Sequence, residues 1–335
     1  MMDLYSKRPR GGKRPQDRLL TLTDAELALV DERYFCALNQ LHAHMGPNSD
    51  RADPLRPSDV AATVIDGIPL PGLVHWEERL PGFFTTSMDV LHHGELVDRL
   101  QLVRVNPERY GIDVHVDLAR RTIEQWRYDL DAVAVVNGSY YKADPYGEPM
   151  TPTQSQGRRL DRTRGYESNN GALYAEPRDP GRPKAKVVSY PSTVSADDVI
   201  EREGYQTVVF SYPLLLDEQG RNRAVDRPLK RATRTFVAED MDGHILLANT
   251  QGGFFSLRRL GRFLKQAHEL KLKTALAMDG GPPSCMAVKA GAFEYVRYGQ
   301  WESLPNRLGQ EVFAWHDENS GKWKIPIVIS VRPRR

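Results

Sequence analysis

The run Thr274-Ala-Leu-Ala-Met-Asp-Gly-Gly-Pro-Pro-Ser-Cys-Met-Ala-Val288 constrains this chain more than any other. An apolar stretch ends in Asp279, the glycine pair Gly280 and Gly281, and a small-residue turn, and a second apolar stretch follows. Without polar alternation, the first stretch reads as a buried strand that delivers one carboxylate to its end. Glycines carry no Cβ, so backbone N–H groups in the turn come close to whatever lies beside it. An acid and a bare backbone cradle in one pocket suit chemistry on a polar or anionic substrate. The same residues also suit a tight turn capped by Asp279, and both readings stand at this point.

Two further segments share the pattern. Ala132-Val-Ala-Val-Val-Asn-Gly-Ser-Tyr-Tyr141 is an apolar run ending in Asn137 and Gly138. Lys230-Arg-Ala-Thr-Arg-Thr-Phe-Val-Ala238 enters a strand through Arg234 and Thr235, and Met241-Asp-Gly-His-Ile-Leu-Leu-Ala248 follows it.

The surrounding sequence predicts an α+β fold: a mixed β-sheet core with a few packed helices, preceded by an N-terminal helical extension. Residues 1–18 are polar and basic and read as a disordered tail. Within 19–46, the capping box Thr23-Asp-Ala-Glu26 precedes Leu27, Val30, Tyr34, Leu38 and Leu41 at helical spacing, which predicts one amphipathic helix. Residues 47–82 hold six prolines from Pro47 to Pro81 and read as a linker or as an extended segment laid across the next domain. Residues 83–335 form that domain. In it, 100–105 and 112–116 alternate around the turn 106–111 as a hairpin, Thr122 to Tyr128 suits a short helix, and 132–136 reads as a strand covered on both faces. Residues 142–185 read as a functional flap or disordered stretch. Strands are expected near 186–190, 207–211, 235–238, 244–249, 274–278, 285–288, 293–296 and 325–331. Ser256 caps a helix whose apolar face is Leu257, Leu260, Leu264 and Ala267.

Composition removes several functions. A net charge of +2 over 335 residues argues against nucleic acid as the partner. No apolar stretch approaches the length of a transmembrane segment. Lys7, Arg8, Arg10, Lys13 and Arg14 have no apolar segment behind them, so the sequence as written carries no secretory signal. Cys36 and Cys285 are the only cysteines, which rules out a disulfide framework or a Cys-rich zinc site and predicts two buried free thiols. His42-Ala-His44 and His92-His93 read as solvated pairs, not metal ligands. Asn137-Gly138-Ser139 matches a glycosylation sequon, but a buried strand end has no room for a glycan.

Taken in order, the motifs resemble the phosphodiester glycosidase family over about residues 80–332. That family shows a strand into Asn-Gly-Gly-aromatic, an Arg-Thr pair before a strand, a helix, and then Leu-Asp-Gly-Gly-Gly-Ser-Ser. The counterparts here are Asn137-Gly138-Ser139-Tyr140, Arg234-Thr235, the Ser256–Ala267 helix, and Asp279-Gly280-Gly281-Pro282-Pro283-Ser284. Pro282 and Pro283 replace a glycine and a serine and have no N–H to offer a ligand.

The resemblance implies a hydrolase that cleaves a glycosyl-1-phosphodiester in a glycan, or in a cell-envelope or exopolysaccharide polymer. Breaking the sugar–oxygen bond builds positive charge on the ring while the phosphate departs with its negative charge. It therefore calls for a carboxylate near the ring and cationic donors near the phosphate. Asp279 takes the first role, Arg234 the second, and Asn137 orients hydroxyl or phosphate oxygens. Gly138, Tyr140, Thr235, Gly280, Gly281 and Ser284 complete the substrate-binding set. A second carboxylate, if used, is Asp144 or Glu148. The residues name no metal, cofactor or particular sugar. The family is usually exported, in contrast with the missing signal. A non-catalytic carbohydrate- or phosphate-binding protein on the same scaffold is the alternative that the two prolines support.

Overall fold

The computed structural model describes residues 67–143, 146–161, 171–190, 195–305, 311–315 and 322–334. The basic tail, the amphipathic helix at 19–46, Cys36, His42, His44 and Asp144 lie outside the described residues. No helix of the described residues is long and apolar enough to cross a membrane.

Three β-sheets build the molecule. The largest has eight strands, in spatial order Leu70–Pro71, Phe83–His92, Glu95–Val105, Ile245–Thr250, Thr235–Asp240, Leu272–Ala277 and Leu214–Leu216, with Glu77–Leu80 paired beside Phe83–His92. The second runs Phe293–Tyr298, Cys285–Ala290, Ala134–Asn137, Ile325–Pro333 and Tyr110–Arg121. The third runs Arg158–Arg159, Thr153–Ser155, Tyr205–Ser211, Gly171–Pro177 and Ala185–Ser189. Two small ribbons, Tyr141–Ala143 with Tyr146–Pro149 and Trp301–Pro305 with Glu311–Trp315, complete the strands.

Every strand pair among the described residues is antiparallel, which corrects the expected mixed sheet. The continuous apolar runs have another cause. The three sheets share one core, where Val105, Val136, Leu173, Val209, Val237 and Ile329 meet. Each sheet also carries a helix on its other face. Leu257–Gln266, capped by Ser256, sets Leu260, Phe263 and Leu264 against Phe236 and Leu246. Ile123–Asp129, closed by a Thr122–Gln125 capping box, sets Ile123 and Trp126 against Val135 and Val328. Ala196–Glu203 sets Val199 and Ile200 against Tyr174 and Phe210. Neighbours along a strand, such as Phe236 and Val237, thus enter different cores, and each buried side chain contributes about 1.5–3 kcal/mol relative to exposure.

Two expectations fail. Glu95–Val105 and Tyr110–Arg121 do not form a hairpin; the turn between them carries the chain from the first sheet to the second. Alternation shows that a segment is a strand, but not which strand it pairs with. The supposed flap also contains sheet: Gly171–Pro177 is flanked by strands on both sides, and Ala172, Leu173, Tyr174 and Ala175 are fully buried.

Candidate active site

Three strand ends from two sheets meet at one point. Asn137 closes Ala134–Asn137 in the second sheet, Thr235 opens Thr235–Asp240 in the first, and residues 278–284 carry the chain from Leu272–Ala277 to Cys285–Ala290. The crossing is pinned by the Asp279 N–H, which donates to the Gly138 carbonyl at 3.2 Å, and the Met278 N–H, which donates to the Thr235 carbonyl at 2.9 Å.

Asn137 is the buried hub. Its Nδ2 donates to the Asp279 carbonyl at 2.8 Å and, more weakly, to the Gly138 carbonyl at 3.3 Å. Its Oδ1 accepts from the Cys285 N–H at 3.0 Å and from the Thr235 hydroxyl at 2.7 Å. Since the Thr235 proton goes to Asn137, the Ser284 hydroxyl at 2.7 Å donates to Thr235, and Asn249 Nδ2 at 2.8 Å donates to Ser284. The four side chains form a one-way relay, Asn249 to Ser284 to Thr235 to Asn137, with all members essentially inaccessible to water. A buried network of this kind fixes the geometry only while each link is satisfied.

Asp279 sits half-buried at the end of this scaffold. Its Oδ1 accepts from the Gly280 N–H at 2.9 Å. Burial is the main cause that pushes its carboxyl up to about 7; the negative charge of Glu302 adds to the rise, while the Gly280 hydrogen bond and Arg234 act against it. The Arg234 guanidinium is held by the Phe255 carbonyl (Nε, 3.2 Å) and the Lys230 carbonyl (Nη2, 2.7 Å). Asp98 holds the segment that leads to Phe255, accepting from the N–H groups of Gly252 and Phe254 at 2.7 and 3.3 Å. Its own carboxyl is pushed up to about 6, chiefly by burial.

The glycines serve a purpose other than the expected backbone cradle. The Gly280 N–H is spent on Asp279, and the Gly281 N–H donates to the Thr233 carbonyl at 2.9 Å. The missing Cβ atoms admit protein groups. A Cβ on Gly280 would stand 2.8 Å from Arg234 Nη1, one on Gly281 2.7 Å from Glu302 Oε2, and one on Gly138 2.5 Å from Ile327. The glycine pair thus lets a guanidinium and a second carboxylate approach the Asp279 turn. Gly299 packs beneath it, where a Cβ would lie 1.9 Å from the Gly281 carbonyl oxygen.

The sequence profile of the phosphodiester glycosidase family matches residues 131–314, more than half of the chain. The chain belongs to the phosphodiester glycosidase family. No curated protein matches it in sequence. Among solved structures, it resembles the catalytic domain of zebrafish N-acetylglucosamine-1-phosphodiester α-N-acetylglucosaminidase, auto-inhibited there by its pro-peptide. That likeness has a TM-score of 0.54 at 14% identity and covers 81% of this chain and 90% of that one. A hypothetical protein from Synechocystis follows, with a TM-score of 0.50 at 15% identity, covering 78% of this chain and 64% of that one. At such identities these likenesses speak for fold alone.

Against the family's Asn-Gly-Gly motif, Ser139 turns inward and donates to Ser211 at 3.0 Å. Tyr140 stacks on Tyr212 with ring centroids 4.5 Å apart, and its hydroxyl donates to the Tyr212 carbonyl. Of the candidate second carboxylates, Glu148 is paired with Lys142 at 2.9 Å. Glu302 and Asn249 were missed in the sequence. Counting outward from the Met241–His244 turn would have placed Asn249 opposite Thr235. Glu302 has no such signal, because it reaches the site through a bridge between Ala232 and its own strand.

Other expected features are structural. Within the 142–185 segment, Arg159 pairs with Asp161 and Asp197 and is tied to the structure. His92 is buried against Phe254 and is not a solvated partner of His93. Cys285 is a buried free thiol, pushed up by burial. Asp240, Asp242 and His244 bring three ligating atoms together at the far end of the Thr235–Asp240 strand. The Arg104 guanidinium fills that cluster, donating to Asp240 at 2.6 Å and to Asp242 at 2.8 Å.

Proposed function

We propose that the protein is a hydrolase of glycosyl-1-phosphodiesters, releasing a free sugar and a phosphomonoester. The observation that carries this reading is the placement of Asp279 and Arg234 against Gly280, with the Asp279 backbone held by a buried relay of the other motif residues. Arg234 supplies positive charge for the phosphate, and Asp279 serves the anomeric carbon. A carboxyl that titrates near neutral suits proton transfer in both directions. It gives a proton to the departing phosphate oxygen as the C1–O bond breaks, then takes one from the water that adds to C1. Asn137, Thr235 and Ser284 position Asp279 through their buried hydrogen bonds.

The test is hydrolysis of a model sugar-1-phosphodiester, with and without chelator. Asp279→Asn keeps the shape and removes the exchangeable proton, so turnover falls by about 10²–10⁴-fold, the scale of general acid–base catalysis. Arg234→Lys mainly damages phosphate binding, because an ammonium cannot reproduce a bidentate fork. Turnover undiminished in Asp279→Asn would remove that residue from the reaction. Pro282 and Pro283, which have no N–H to donate, favour a second reading as a binding protein. A folded wild-type protein that binds such diesters without cleaving them would establish that reading.

A further inference from the structure

We propose that the basic surface formed by residues 217–231 and the Leu257–Gln266 helix binds further phosphates of the substrate, so that the protein acts on a glycan polymer carrying repeated phosphodiesters. The inference rests on the hydrolase reading for its chemistry, but the surface itself stands on charge and geometry. Residues 217–234 and 256–266 hold ten Lys and Arg residues against three acids, while the rest of the chain carries more acids than bases. The net charge of +2 therefore hides a strongly cationic face. Its two arms meet at Arg234. The Lys230 carbonyl, which accepts from Arg234 Nη2 at 2.7 Å, lies at the end of one arm. The Phe255 carbonyl, which accepts from Arg234 Nε at 3.2 Å, lies just before the other, whose helix is capped by Ser256. Arg231 and Ser256 form a β-bridge at the same place.

Farther from Arg234 the arms are bonded to each other. Asn222 Nδ2 donates to the Arg258 carbonyl at 2.7 Å, and Arg258 Nη1 donates to the Ala224 carbonyl at 3.0 Å. Gly261 permits that approach, since a Cβ there would stand 2.4 Å from Asn222 Nδ2. The face is rigid and keeps an excess of positive charge. Buried Asp217 accepts from Nε of both Arg221 and Arg223 at 2.9 Å, so one carboxylate serves two guanidiniums. Glu218 turns to the third sheet, accepting from the Ser189 N–H at 2.7 Å, and Asp226 pairs with Arg258 at 3.6 Å. Arg227 and Arg262 are exposed, and Arg262 follows Arg258 by about one helical turn. Cations gathered in this way repel one another, and an anion with several charges that spans them relieves the repulsion. A single diester brings one negative charge, which Arg234 meets. A polymer with a phosphate in each repeat brings the others, and the field of the face steers it to the site.

The experiment compares a synthetic oligomer of sugar-phosphodiester repeats with a single sugar-1-phosphodiester, using the full-length protein. The double variant Arg227→Gln, Arg262→Gln removes two exposed charges of the face. The double variant Arg178→Gln, Lys289→Gln removes two exposed charges at the other two sheets and is the control. At low salt, kcat/KM of the first variant should fall about tenfold on the oligomer and stay within about twofold of wild type on the single diester. The loss should largely vanish at about 1 M salt, where charges are screened within a few ångströms. Each single substitution should show a smaller loss in the same direction, and the control should match wild type on both substrates. Equal losses on the two substrates, the same loss in the control, or an unchanged oligomer rate would each overturn the subsite. If wild type cleaves neither substrate, the hydrolase reading fails, and calorimetric binding of the oligomer still decides the subsite. Binding about tenfold weaker in the first variant keeps it, and binding equal to wild type overturns it. A single-stranded oligonucleotide of the same charge that binds as tightly as the oligomer would overturn the glycan assignment.

Discussion

Asn137→Leu separates a ligand-binding role for this residue from that of a buried hub. Leucine keeps most of the volume and removes every polar contact. Three good bonds are lost: to the Asp279 carbonyl, the Cys285 N–H and the Thr235 hydroxyl. The partners stay buried, so each is left without its bond and costs about 1–3 kcal/mol, or roughly 3–9 kcal/mol together. Total stabilities are about 5–15 kcal/mol, so the variant keeps only part of its margin. At about 2–4 °C per kcal/mol for a domain of this size, the melting temperature should fall by at least about 6 °C. The assay is thermal unfolding without ligand, followed by circular dichroism and calorimetry. A melting temperature within about 2 °C of wild type would refute the reasoning, because these bonds would then contribute little. Activity lost with stability retained would instead make Asn137 a ligand residue.

Two further perturbations test the surrounding structure. Gly299→Ala places a Cβ 1.9 Å from the Gly281 carbonyl, so the Asp279 turn must move; crowding of this kind costs about 1–3 kcal/mol, and diester cleavage should fall together with melting temperature. Asp279→Asn should also change how stability depends on pH. The folded-state value of about 7 lies above the unfolded carboxyl at about 3.9, so the Asp279 contribution is full below pH 4 and is lost as pH rises through 7. The melting temperature of Asp279→Asn relative to wild type should therefore rise between pH 4 and pH 8 and level off above. Asp98 titrates in both proteins and cancels in that difference. A difference flat with pH would mean that Asp279 is not buried against its charge.

Local signals determined much of this protein. Ser256 and Thr122 cap helices where their side chains find N–H groups three residues on. Apolar runs bounded by Asn137, Thr235 and Asp279 mark strand ends. The ordered motifs also led to the family, since each motif survives as a short contiguous string. Pairing was not legible. Residues 100–105 and 112–116 alternate like a hairpin, yet they belong to different sheets, because alternation records which faces are buried and not which edge provides the partner. Gly171–Pro177 hides its central position in a polar, Gly-rich neighbourhood. The site divides in the same way. Asp279, Arg234 and Asn137 could be named as candidates by type and order. That Asn137 spends its amide on the protein, that the glycines admit Arg234 and Glu302, and that Glu302 lies beside the Asp279 turn depend on contacts between residues far apart in sequence. Only the tertiary structure decides those, because hydrogen bonds and charge interactions depend on distance in space and carry no trace in the local sequence.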